Sequence, residues 1–228
     1  MKSLSRNLWL YDHCLKNARR MNTSSGGDIV FVDGVRTPFL ASLTEFQHMM
    51  PHQLLSQAFT GLLSRTGVTS EHVDYVCAGT VQQDVSTPNV AKEAAFMSGF
   101  PLSTPGHTVS MACISANMAV TSSMSLLTTG MAEMCIAGGV EFCSDMPIRY
   151  NRLVRQMLMK APRAKTPEQL QEVGTMMRGF SPKTLLPELV DPREFSTQEV
   201  MGHSCDRLCE VWGVTRLEQD TFGHRYKL

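Results

Sequence analysis

The chain has 228 residues, enough for one good-sized core or for one domain with a sub-domain. Lysine plus arginine and aspartate plus glutamate each number 21, and a formal charge of zero argues against a dedicated nucleic-acid binder, which carries a basic field. With 43% hydrophobic and 18% charged residues the chain is globular rather than disordered, its apolar runs fall short of the ~20 residues of a membrane-spanning helix, and seven cysteines without tight paired spacing argue for a reducing compartment.

Residues 1–27 carry Lys2, Arg6, Lys16, Arg19 and Arg20 against one acid, Asp12. Basic, amphipathic and poor in acids is the composition of a mitochondrial transit segment; a frayed tail or a surface helix has the same composition. Asp28–Val35 is a β-branched run, predicted as a buried strand that Pro38 ends. His52–Thr66 repeats apolar residues at the helical period, with Gly67 as a stop. Val73–Val81 predicts a second strand, and Asn89–Ser98 a short helix closed by Gly99. Thr108–Met111 predicts a third strand, Ile114–Thr129 a helix ending at Gly130, and Glu133–Val140 a fourth strand.

This alternation implies an α/β fold, a mostly parallel sheet covered by helices on both faces. The pattern breaks after Val140. Residues 143–195 hold Pro147, Pro162, Pro167, Pro182, Pro187 and Pro192, which suits an inserted loop region with short helices. Ser196 with Glu199, and Thr215 with Glu218, fit capping boxes for helices near 197–212 and 216–226. The predicted division is a transit segment (1–27), an α/β domain (28–142), and a loop region with following helices (143–228).

Arg149 to Thr166 contains six basic residues and no acid. Arg149, Arg152 and Arg155 form a stripe if helical, opposite Leu153, Val154, Met157, Leu158 and Met159. Such a segment suits peripheral contact with an anionic membrane, a phosphate-rich ligand or an acidic partner; a solvated loop helix reads the same way.

The chemistry concentrates in Ser110–Asn117. Small residues flank Cys113 where a strand meets a helix. A helix N-terminus presents free N–H groups and partial positive charge, which favours a thiolate and can hold an oxyanion. The small neighbours Ala112, Ser115 and Ala116 leave room for a substrate, although an inert buried cysteine is the common fate of this residue type. Gly138-Gly139 permits close backbone approach at the sheet edge, or a plain tight turn. His203, Cys205 and Cys209 lie close together but lack a fourth ligand, so Cys205 and Cys209 are expected to fill a core beside Leu208 and Trp212. No dinucleotide, P-loop, hydrolase-elbow or zincin motif occurs.

Taken in order, the motifs resemble those of the thiolase superfamily. Asp33-Gly-Val-Arg-Thr-Pro-Phe39 is similar to its opening strand and RTPF motif, and Asn89–Ala95 to its NxAR helix with Lys92 in place of Arg. Ser110–Asn117 matches the acyl-enzyme signature, and Gly138-Gly-Val-Glu141 with Ser144 the GGxExMS turn, with Cys143 in place of Met. Met201–Asp206 sits at the MGxTAE position, and Arg216–Asp220 at the REEQD helix. The wording ACISAN, MGHS and Met146-Pro-Ile-Arg149 is similar to the mitochondrial long-chain 3-ketoacyl-CoA branch.

The resemblance covers residues 28–225 and implies an acetyl-CoA C-acyltransferase of fatty-acid β-oxidation. Cys113 would be the acyl-thioester nucleophile and its backbone N–H an oxyanion donor. Coenzyme A and acyl-CoA would be substrates, with no permanently bound cofactor, no metal and no nucleic acid. Further cofactor-binding residues are not assigned. The implied setting is a homo- or hetero-oligomer with thiolase subunits, in the mitochondrial matrix or on its inner membrane. A complete thiolase is about twice this long, and the GHP, NEAF and CxG motifs of its second half do not occur here. The second thiolase half is therefore expected to be absent and this stretch alone inactive. The alternative is a non-catalytic truncated paralogue or splice product that acts in assembly or has no function.

Overall fold

A computed structural model describes residues 19–21, 28–188 and 191–225. It divides into two compact units, residues 1–147 and 148–228. The transit segment expected over 1–27 lies outside the described residues, apart from the backbone of 19–21.

In the first unit, strand β1 (Arg19–Met21) pairs antiparallel with β2 (Ile29–Phe31), Arg20 opposite Val30. This corrects the buried strand expected over 28–35. Three residues form the ladder, and Phe31 is 53% exposed. The cause is pairing: β2 bonds to β1 in a two-stranded ribbon separate from the main sheet, and such a ribbon buries little.

Helix α1 (Pro51–Thr66) opens on proline, whose missing N–H costs nothing at the first helical position. The Met50 N–H donates to Gln53 Oε1 at 2.8 Å. Gly67 closes the helix at φ 72°, its N–H donating to the Leu63 carbonyl at 2.9 Å. Strand β3 (Tyr75–Gly79), helix α2 (Val90–Met97), strand β4 (Gly106–Val109), helix α3 (Ser115–Thr128) and strand β5 (Cys135–Gly139) follow. Asn89 caps α2, its Oδ1 accepting from the Lys92 N–H at 3.3 Å and from Thr108 Oγ1 at 3.0 Å. Its Nδ2 donates to the Gly106 carbonyl at 3.0 Å, which ties α2 to β4.

The three strands are parallel in the order β4–β3–β5, with Val76 opposite both Gly106 and Ile136. Alternation along β3 assigns its two faces. Val76 and Ala78 join Leu55, Phe59, Val90, Ala94 and Phe100 in the core under α1 and α2. Phe59 and Phe100 meet edge to face at 6.0 Å between ring centres. Cys77 and Gly79 point to the opposite face, which α3 covers. The sheet expected from the sequence is therefore present with helices on both faces. Asp74 locks the entry of β5, its carboxylate accepting the Glu133 and Met134 N–H groups at 2.8 and 3.0 Å. Those two bonds hold its pKa below the ordinary aspartate value.

The second unit holds helices α4 (Arg152–Lys160), α5 (Pro167–Arg178), α6 (Met201–Val211) and α7 (Arg216–Arg225), the first two being short helices within the proline-rich region, as its pattern implied. The Thr215–Glu218 capping box forms: the Thr215 N–H donates to Glu218 Oε2 at 2.8 Å, and the Glu218 N–H to Thr215 Oγ1 at 3.3 Å. The Ser196–Glu199 box does not. Helix α6 starts at Met201, because Arg207 and His203 engage the Glu199 carboxylate instead.

Two further expectations are corrected here. Arg149 precedes α4 and is not part of a helical stripe. Glu188 gathers Arg149 at 3.6 Å and Arg155 at 3.2 Å, and Glu172 takes Lys160, so the basic stretch is partly neutralised from within. Of the apolar counter-face only Val154 is buried. Helix α6 buries none of its residues, so Cys205, Cys209, Leu208 and Trp212 fill no core. Periodicity marks an apolar side of a helix but not what that side meets.

An added Cβ at Gly79 would lie 2.2 Å from the Ser115 carbonyl carbon, whereas one at Gly138 meets nothing within 4 Å. Gly79→Ala is therefore expected to lower stability by at least about 1–3 kcal/mol, and Gly138→Ala by less than about 1 kcal/mol. Urea unfolding midpoints of the two variants, read against the parent, check this.

Candidate active site

The turn from β4 into α3 carries the site. Ala112 has φ 47°, a left-handed conformation that costs a residue with a Cβ about 1–2 kcal/mol. Ser115 is buried beneath it. Its Oγ donates to the Ala112 carbonyl at 2.6 Å and accepts the Met111 N–H at 2.8 Å. The backbone N–H groups of Ile114 and Ser115 return to the Met111 and Ala112 carbonyls at 3.2 and 3.1 Å. Four hydrogen bonds thus close the turn, and Cys113 stands exposed on it, two residues ahead of α3. Ser115 does not leave room for a substrate, as its size suggested; it faces inward and holds the strained backbone in place.

The floor of this turn is glycine. The first turn of α3 lies against Gly79, where a side chain would strike the Ser115 and Ala116 backbone. At Gly139 an added Cβ would lie 2.7 Å from the Gly79 oxygen and 3.0 Å from Ala116 Cβ. Of the two neighbouring glycines in the motif, Gly139 makes the close approach and Gly138 faces open space. Gly79 and Gly139 end β3 and β5, adjacent strands at the carboxyl edge of the sheet. Strand order reverses direction between them, which is where open α/β sheets place their ligands.

Glu141 and Ser144 build the rim. Glu141 accepts the Val81 and Gln82 N–H groups at 2.8 and 3.1 Å, and Ser144 Oγ accepts the Leu43 N–H at 3.0 Å. Lys92 ties down the loop entering β4, donating to the Leu102 carbonyl at 3.0 Å and to that of Thr104. In the opening motif Asp33 pairs with Arg65 at 2.9 Å, and Arg36 lies 4.5 Å over the exposed Phe39 ring.

The cysteines separate by environment. Burial pushes the Cys77 and Cys135 thiols up to about 11, so both stay protonated near neutrality. Cys113, Cys143 and Cys205 are exposed, and of these Cys113 alone sits between the strained Ala112 and a helix N-terminus. Among the described residues, no three or more His, Cys, Asp or Glu side chains converge as a metal site. Sequence reasoning singled out Cys113 but missed the anchoring roles of Ser115 and Glu141. The available signals were a serine at the start of a helix and a carboxylate just past a strand of small residues.

A strand–turn–helix with an exposed cysteine at the carboxyl edge of a parallel sheet is the arrangement of α/β proteins that bind ligands at that edge. Comparison narrows it. The thiolase N-terminal domain family matches residues 29–225, and the chain belongs to that family. It is 49% identical over 198 residues to the human mitochondrial trifunctional enzyme subunit beta, covering 87% of this chain and 41% of that protein. It is 45% identical over 199 residues to a probable 3-ketoacyl-CoA thiolase of Caenorhabditis elegans, covering 87% and 44%. The crystal structure of the Bacillus anthracis acetyl-CoA acetyltransferase shares the fold, with a TM-score of 0.57 and 24% identity over 78% of this chain and 40% of that one. The chain thus spans less than half the length of the relatives it matches.

Two substitutions test the turn. Ser115→Ala leaves the Met111 N–H and Ala112 carbonyl without their side-chain partner and is expected to cost about 1–3 kcal/mol. Ala112→Gly removes the left-handed strain and is expected to stabilise by about 1 kcal/mol. Denaturant midpoints that move in opposite directions bear this out; two shifts of the same sign contradict it.

Proposed function

We propose that this chain supplies the acyl-accepting half of a 3-ketoacyl-CoA thiolase site, with Cys113 as the nucleophile. The observation that carries the proposal is the exposed thiol on the Ala112–Ser115 turn, inside the span matched to the family. The Cys113 thiolate attacks the 3-keto carbonyl, and the backbone N–H of Cys113 steadies the oxyanion. The bond between C2 and C3 then breaks. Its electron pair leaves with the acetyl-CoA fragment, which takes up a proton. A second coenzyme A thiolate attacks the Cys113 thioester and carries off the shortened acyl chain. Both ligands are transient substrates.

Full turnover needs acid–base groups to activate the thiol and to protonate the leaving carbanion. In this reading a second thiolase half supplies them, and without it the 228 residues show little or no turnover. Loss of a general base alone costs about 10²–10⁴-fold. The working chain belongs to a homo- or hetero-oligomer with thiolase subunits in the mitochondrion, in the matrix or against the inner membrane. Support for this setting comes from the named relatives. The basic residues of 149–166 supply peripheral contact with anionic lipid, through those that Glu188 and Glu172 leave free.

The test is intact mass after incubation of the folded chain with a 3-ketoacyl-CoA. A single acyl adduct that disappears in Cys113→Ala is expected. No adduct on folded protein means that activation of the thiol depends on the second half; an adduct that survives the substitution overturns the nucleophile assignment. The first of these outcomes favours the non-catalytic role in assembly.

A further inference from the structure

Helix α6 carries Met201, Cys205 and Cys209 at intervals of four residues, which brings three sulfur side chains onto one face. Residues four apart on a helix have Cβ atoms about 5–6 Å apart. Cys205 and Cys209 are free thiols in side-chain contact, Cys205 exposed and Cys209 half-buried. Leu208 and Trp212 border the pair, both exposed, Trp212 at 77%. The helix buries none of its residues, so packing within these 228 residues does not account for two cysteines on it. Nor does a disulfide, since an intact helical turn holds the two side chains parallel rather than joined.

We propose that Cys205 and Cys209 form a two-thiolate chelate for a soft monovalent cation of the Cu(I) type. Thiolate and thioether sulfur select such ions over harder ones. A structural zinc site calls for four ligands. Among the described residues no set of three His, Cys, Asp or Glu side chains converges as such a site. On binding, two metal–sulfur bonds form, each thiol releases its proton to solvent, and no electron is transferred. The proposal does not rest on the acyl-transfer reading, since it uses neither Cys113 nor coenzyme A.

The experiment titrates the full chain anaerobically with Cu(I) held by a chromophoric chelator, and reads transfer to the protein optically and stoichiometry by native mass spectrometry. One ion per chain is expected. Cys205→Ser or Cys209→Ser alone is expected to weaken retention by at least about 10²-fold, the loss of a chelate. Cys113→Ser with Cys143→Ser is expected to leave it unchanged, and far-UV circular dichroism reports that each variant keeps its helices. Retention that survives in the Cys205→Ser, Cys209→Ser double variant, or that follows Cys113 and Cys143, overturns the proposal. So does a single variant that binds as tightly as the parent.

Discussion

The structure of the first unit depends on one close contact, the first turn of helix 115–128 against the glycine ends of two parallel strands. Gly79 and Gly139 carry no side chains there, so the helix backbone can rest on the strand ends themselves. A helix docked that low leaves little chain between the end of β4 at Val109 and its own start at Ser115. The connection turns sharply, and Ala112 takes a left-handed conformation to complete it. Ser115 offsets that strain with two short hydrogen bonds from a buried position. Exposure of Cys113 at the sheet edge is the outcome of these steps.

The same logic sorts the cysteines. Cys77 and Cys135 lie within strands and are held protonated by burial. Cys113 lies beyond a strand, on a turn that the rest of the unit over-determines. What separates these cysteines is where the backbone places the thiol, since the residue type is the same in each case. Local strain that is supported from outside is the usual signature of a working position. Glu141 and Ser144 extend that support by pinning two loops to the rim of the edge.

Elements with sharp local punctuation were legible in the sequence. Gly67 stops one helix, Asn89 and Gly99 bracket another, and these limits hold in the structure. The alternating order of strands and helices implied a parallel sheet with two covered faces, and it is there. The failures share a cause. The run at 28–35 has strand composition, yet its partner is a three-residue ribbon strand, so it remains exposed. Ser196 and Glu199 have capping-box spacing, yet Arg207 holds the carboxylate. Cys205 and Trp212 have helical periodicity, yet the helix buries nothing. Each depended on a non-local partner that a local pattern does not encode.

By itself the sequence determined the order of the elements, the position of Cys113 between a strand and a helix, and membership of a family whose motifs recur along the chain. These are properties of residues near one another in the chain, set by backbone preference and spacing. Tertiary structure alone decided that Gly139 rather than Gly138 makes the close approach, and that Ser115 is an anchor rather than an opening. It also decided that Glu188 and Glu172 neutralise part of the basic stretch. Close approach, burial and ion pairing are set by groups that meet only after folding, so their energies are absent from any one segment.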